Sequence, residues 1–143
     1  MAESPVILYW DTSALLSYYF SDPHSVITQK YAKTEGVHLI SSLAHAEACA
    51  VIARMAKQAI VDHNFAKTVF TALERGPWRP LNGLPERKIA SRLSRQWPLR
   101  GADLWHLALV VSLQKDLPEI KLITFDQRLL EAAGGEGLAY TRR

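Results

Sequence analysis

The stretch Val6–Leu16, "VILYWDTSALL", decides the fold. Five apolar or aromatic residues end abruptly at Asp11, followed by Thr12 and Ser13 and a second apolar run. An uninterrupted, β-rich apolar pentapeptide reads as a strand covered on both faces. Asp-Thr-Ser is chemistry that opens a helix. Strand followed directly by helix is the start of a crossover unit, and Asp11 sits at the carboxyl end of the strand. It has two readings, a cap of the next helix or a member of a site.

The same alternation recurs downstream. The first helix runs to about Phe20, and "SDPHS" is a turn. Ser25 to about Glu35 reads as a helix stopped at Gly36, and "VHLIS" as a second strand. Ser42 is placed to cap an alanine-rich helix from Leu43 to about Lys57. Asp62–Arg75 forms a helix ended by Gly76-Pro77, and Trp78–Leu81 is a short extended piece. Pro85 opens a helix that reaches about Trp97 before Pro98. Ala102–Lys115 is helical, Ile120–Phe125 is a strand, Asp126–Ala133 is a short helix stopped by Gly134-Gly135, and "LAYT" is a final strand. Short apolar strands alternating with helices predict an α/β fold: a three-layer α/β/α sandwich with a short, mainly parallel central sheet. The 143 residues, 48% of them hydrophobic, fit a single domain over 1–143.

Composition narrows the setting. A single cysteine, Cys49, cannot form an intrachain disulfide and reads as a small core residue. No apolar run is long enough for a secretory leader or a membrane span, so a soluble cytoplasmic protein is expected. The net charge is +3. Arg79, Arg87, Lys88, Arg92, Arg95 and Arg100 crowd one segment whose only acid is Glu86. On a helix Lys88, Arg92 and Arg95 share a face, which can be a phosphate track or an ordinary solvated surface. No phosphate-binding P-loop or dinucleotide glycine fingerprint occurs. The Asp-x-Asp expected of an aspartyl phosphatase is absent, since Ser13 holds its second position.

Four acids stand out. Asp11 and Asp126 each end a predicted strand, where parallel α/β sheets bind ligands. Both can equally be N-caps. Asp103 lies in the first turn of a helix, where its charge also suits the helix dipole. Glu47 has only apolar neighbours one turn away, Leu43, Ala44, Ala50 and Val51, which predicts a buried carboxylate needing a partner: Arg54 or a metal ion. Four carboxylates converging on one rim repel each other unless a cation joins them. Oxygen-only ligands select a hard ion such as Mg²⁺ or Mn²⁺. His106, three residues after Asp103, can meet it on one helix face. His24, His38, His45 and His63 show no metal-ligand spacing.

The blocks "VILYWDTSALL", "ISSLAHAEACAVIAR", "LRGADLWHLALV" and "LITFDQRLLEAA" resemble, in order and spacing, the four motif blocks of PIN-domain ribonucleases. They are most similar to the toxin component of VapBC-type toxin–antitoxin pairs. The resemblance implies a Mg²⁺- or Mn²⁺-dependent endoribonuclease, a homodimer and a cognate antitoxin. It implies that Asp11, Glu47, Asp103 and Asp126 hold the ion, with Asp11 and Asp103 the most direct ligands. Thr12, Ser13 and Thr124 match accessory hydroxyls beside these acids, and His106 joins them as support. Lys88, Arg92, Arg95 and Arg100 are the candidate RNA contacts. Trp78 and Trp97, beside prolines, are expected to be free to stack on bases, whereas Trp105 reads as core. Tyr18, Tyr19, Phe20 and Tyr31 are candidates for a partner surface. An RNA-processing nuclease without an antitoxin and a non-catalytic RNA- or protein-binding module remain as alternatives.

Overall fold

The computed structural model describes residues 5–141. The chain folds in the order β1 (Val6–Trp10), α1 (Thr12–Tyr19), α2 (Ser25–Ala32), β2 (Gly36–Ser41), α3 (Ser42–Lys57), α4 (His63–Arg75), β3 (Trp78–Leu81), α5 (Arg87–Gln96), α6 (Gly101–Leu113), β4 (Ile120–Ile123) and α7 (Gln127–Gly135). The four strands form one sheet in the order β3-β2-β1-β4, and every pairing is parallel.

Alternation along the strands divides the core into two layers. Leu8, Trp10, Ile40 and Ile123 face α1, α2, α3 and α4, where Leu15, Ile52, Val69 and Leu73 meet them. Tyr9, Leu39, Ile120 and Leu122 face α5, α6 and α7, against Leu93, Leu107, Leu109 and Leu129. The three-layer α/β/α sandwich expected from the alternation of strands and helices is therefore present, with an entirely parallel sheet. Among the described residues no helix is long and apolar enough to cross a membrane.

Several details differ from expectation. "LAYT" is not a strand: Ala139 makes one parallel bridge beside Leu122. Strand β4 ends at Ile123 rather than Phe125. Ser41, not Ser42, caps α3, its Oγ accepting from Ala44 N at 3.1 Å. The helix predicted to stop before Gly134 runs through Gly135, where the absence of a side chain makes room for the Trp97 ring; a Cβ there would lie 2.2 Å from it. Trp97 also donates its indole N–H to Glu136, and Trp78 is only 7% exposed. Neither tryptophan stands free as an open stacking platform. Trp78 lies at the centre of an aromatic cluster with Trp10, Tyr18 and Tyr19. Tyr18, Tyr19 and Phe20 pack against the first core and Tyr31 belongs to it, so core burial accounts for much of their surface. Cys49 is half-buried against the same core.

Candidate metal centre at the sheet's carboxyl edge

The register of the two central strands assembles the candidate site. Trp10 pairs with Ile123, so the residues that follow, Asp11 and Thr124, emerge side by side at the carboxyl edge of the sheet. Asp11 is 2% exposed. Its Oδ1 accepts from Ala14 N at 2.8 Å and from Ser13 Oγ at 2.7 Å. Its Oδ2 accepts from Thr124 Oγ1 at 2.5 Å. Thr124 Oγ1 in turn accepts from Asp126 N at 3.1 Å, and Ser13 Oγ accepts from Phe125 N. Two hydroxyls thus stitch the start of α1 to the loop after β4.

Asp11 has two structural places. It caps α1, and it also lines a cleft of about 270 Å³ with Thr12, Ser13, Leu16, Glu47, Asp103, His106 and Asp126. Asp126 behaves alike: its Oδ1 caps α7 by accepting from Leu129 N at 2.9 Å, and its side chain reaches the cleft. Asp103 reaches the same cleft from the first turn of α6.

Glu47 departs from the expectation drawn from its neighbours. Its side chain is 36% exposed, not buried. Its partner is not Arg54. Thr12 Oγ1 donates to Glu47 Oε1 at 2.8 Å, and His106 Nε2 lies 3.4 Å from the same oxygen. Of the four apolar neighbours only Ala44 is buried, and Ala50 is exposed; the carboxylate faces a concavity between elements, which helical periodicity cannot register. His106, expected beside Asp103, instead turns to Glu47 on one side and to Tyr9 Oη, 2.5 Å from its Nδ1, on the other. Tyr9 and its second partner Ser41 were not among the candidate residues. The available signal was the tyrosine itself, since a phenol within a fully buried strand must find a hydrogen-bond partner.

The charges are out of balance in the way expected of an acidic pocket. Burial pushes the Asp11 carboxyl up to about 6, with the Asp103 charge adding to it and the hydrogen bonds from Thr124, Ala14 and Ser13 opposing. Burial also raises Asp103, helped by the charges of Asp126 and Glu47 and opposed by Arg100. Burial lowers His106 against the pull of Glu47, so the imidazole is a poor counter-charge. Among the described residues no salt bridge reaches Asp11, Asp103 or Asp126. A cation would relieve this repulsion, and all the carboxylates offer hard oxygen donors. No three acid or histidine side chains among the described residues stand close enough together to enclose an ion by themselves. The donor set therefore fits an ion that keeps much of its water, as Mg²⁺ does.

A second cleft, of about 420 Å³, continues from this one: Asp103 and Asp126 line both, and Arg100, Gln127 and Arg128 complete it. Arg100 was a sequence candidate; Arg128 was not. The remaining basic candidates lie on α5, and the two arginines among them are engaged locally. Arg92 pairs with Glu136 at 3.2 Å and donates to Gln96, Arg95 donates to Ser91, and Lys88 is exposed.

Comparison with known proteins bears on the family and the fold. The PIN domain family model matches residues 8–135. Among solved structures, VapC20 from Mycobacterium tuberculosis, described as a sarcin–ricin-loop-cleaving toxin, superposes with a TM-score of 0.62 at 12% identity over 95% of this chain and 99% of that one. A Pyrobaculum aerophilum protein gives 0.57 at 18% identity over 89% and 84%. FitAcB from Neisseria gonorrhoeae gives 0.59 at 15% identity over 90% and 94%. No match was found among curated proteins. At such identities the structural likeness speaks to the fold.

Proposed function

The chain belongs to the PIN-domain family, and from that premise we propose that it is a metal-dependent endoribonuclease, with residues 1–143 as one catalytic domain. It hydrolyses RNA phosphodiester bonds and serves as the toxin of a type II toxin–antitoxin pair. The observation that carries the reading is the cleft lined by Asp11, Glu47, Asp103 and Asp126, in which, among the described residues, no arginine or lysine pairs with a carboxylate. VapC20, described as a sarcin–ricin-loop-cleaving toxin, shares the fold and supports the choice of substrate. The partners this reading implies are RNA, an antitoxin protein and a second copy of the chain, in the cytoplasm.

Asp11 and Asp103 would hold Mg²⁺ or Mn²⁺ most directly, with Glu47 and Asp126 acting through water. A bound divalent ion supplies a nucleophilic water at neutral pH and offsets charge growing on the phosphate. The chain's own part is positional. Ser13 and Thr124 fix both oxygens of Asp11, Thr12 fixes Glu47, and the cap of α7 fixes Asp126. RNA cleavage is expected in Mn²⁺ or Mg²⁺, to vanish in EDTA and to return when the ion is restored. Full cleavage in EDTA would sink the proposal.

The substrate's phosphates are expected to leave the acidic cleft past Arg100 and Arg128. Neither guanidinium makes a hydrogen bond or salt bridge among the described residues, whereas Arg92 and Arg95 on α5 are already engaged. The Arg100→Gln/Arg128→Gln double variant should weaken RNA binding about ten-fold or more and flatten its salt dependence by roughly one to two units of log–log slope. Filter binding across a salt series measures this. Wild-type affinity and slope in the double variant would move the phosphate track back to α5.

A further inference from the structure

Behind Glu47 runs a buried chain of polar groups that the chemistry above leaves unused. Tyr9 is wholly buried, and Ser41 and His106 are 1% and 2% exposed. Tyr9 Oη donates to Ser41 Oγ at 2.9 Å, and the same phenol oxygen lies 2.5 Å from His106 Nδ1. At the other side of the ring, Nε2 is 3.4 Å from Glu47 Oε1, the oxygen that already accepts from Thr12.

The contact of Tyr9 Oη with His106 Nδ1, at 2.5 Å, is far shorter than that of Nε2 with Glu47, at 3.4 Å, and sets the direction of the chain. A phenol owns one hydrogen, and Tyr9 spends it on Ser41. The contact with Nδ1 then requires the hydrogen to come from the imidazole. A neutral imidazole carries one N–H, so Nε2 is left with its lone pair. That lone pair and a carboxylate oxygen face each other at the wall of a cleft that His106 and Glu47 both line. Two acceptors so placed call for a partner that is positive or that donates hydrogens.

We propose that Tyr9 is a positioning residue: it holds His106 in the Nδ1–H tautomer, so that His106 Nε2 and Glu47 Oε1 form a paired acceptor for a hydrated divalent cation. The cation rests on the nuclease reading above; the tautomer is a property of the metal-free protein. Partners of this kind, which fix a ring's tautomer, typically alter metal affinity by about 10–100-fold when removed.

The test uses the full chain and Tyr9→Phe, which deletes one hydroxyl and keeps the ring that fills the core. Long-range ¹H–¹⁵N spectra of the metal-free wild type should show His106 protonated at Nδ1 and bare at Nε2, and Tyr9→Phe should lose that preference. Calorimetric titration with Mn²⁺ alone should show about ten-fold weaker binding in Tyr9→Phe. RNA turnover should fall in kcat with KM for RNA unchanged. A purely structural tyrosine would lower the melting temperature and leave Mn²⁺ affinity and tautomer alone. A wild-type spectrum with Nε2 protonated, or wild-type Mn²⁺ affinity in Tyr9→Phe, overturns the proposal. Absence of RNA cleavage by wild type in Mn²⁺, with spectra and titration as expected, would instead count against the nuclease reading.

Discussion

Asp11→Asn is expected to reduce RNA cleavage about a thousand-fold, the equivalent of the several kcal/mol a metal ligand supplies. It should do so while making the metal-free protein more stable at pH 7.5. The two effects have one cause. The carboxyl is buried, and burial raises it from 3.8 to about 6 despite the hydrogen bonds from Thr124, Ala14 and Ser13. A folded-state value above the unfolded one means that the folded protein holds the proton more tightly. The stability this confers is fully present below about pH 4, is lost as pH rises through about 6, and is absent at 7.5. At 1.36 kcal/mol per unit, the ionised carboxylate costs the metal-free fold on the order of 3 kcal/mol. Asparagine carries no charge and keeps one carbonyl oxygen for Ala14 N and Ser13. It must turn an amide towards Thr124, whose hydroxyl then accepts instead of donating, at a cost of about 1 kcal/mol. The remaining gain of about 1–2 kcal/mol should raise the melting temperature of the metal-free variant by several degrees. The advantage should shrink towards pH 4.5, where the wild-type carboxyl is protonated. Mn²⁺ should raise the wild-type melting temperature at pH 7.5 and leave that of the variant unchanged. Thermal melts at two pH values, with and without Mn²⁺, decide it. A variant that is less stable at pH 7.5 and still cleaves would remove Asp11 from any metal site.

That pairing of loss and gain also shows what a sequence can reveal about such a site. Asp11 and Asp126 were legible as the ends of two strands, because a break from apolar residues to aspartate is a local signal. Cap and site could not be told apart, because the choice depends on which strands are neighbours. The pairing of Trp10 with Ile123 brings the two strand ends together, so that each aspartate caps its helix and also lines the cleft. Glu47 was found for a reason only half right. Of its neighbours at helical spacing only Ala44 is buried; its carboxylate lies at a cleft lined from α1 and α6, and no periodicity within α3 describes a concavity made with other helices. Tyr9 was hidden by its company, five apolar or aromatic residues read as one strand. Arg128 was hidden by standing alone, outside the basic segment that drew attention to α5. Parallel pairing and layering followed from alternation of short strands and helices, which is why the architecture was legible while the polar contacts between layers were not.

Gly36→Ala is the substitution expected to damage the fold most for its size. Gly36 opens β2 with φ +148°, a conformation side chains rarely adopt, and an added Cβ would lie 2.1 Å from Val6 O. Val6 is its partner in the parallel pairing of β1 with β2, so the obstruction is backbone and cannot rotate away. Relief requires β1 to shift at the end opposite Asp11, and the same strand carries Tyr9. Strain of about 1–3 kcal/mol from the backbone conformation alone, with the clash added, should lower the melting temperature by about 10 °C for a chain of this size. Two other glycines calibrate the result. Gly137 has φ +75° with nothing within 4 Å of an added Cβ, so Gly137→Ala should cost only about 1 kcal/mol of conformational strain. Gly134 lies inside α7 with open space around it, so Gly134→Ala should stabilise the protein by about 0.5–1 kcal/mol through helix propensity. Thermal melts of the three variants should therefore fall in the order Gly36→Ala, Gly137→Ala, wild type, Gly134→Ala. A Gly36→Ala protein as stable as wild type would mean that β1 and β2 do not pair at Val6 and Gly36. The register that sets Asp11 beside Thr124 would then lose the β2 side of its support.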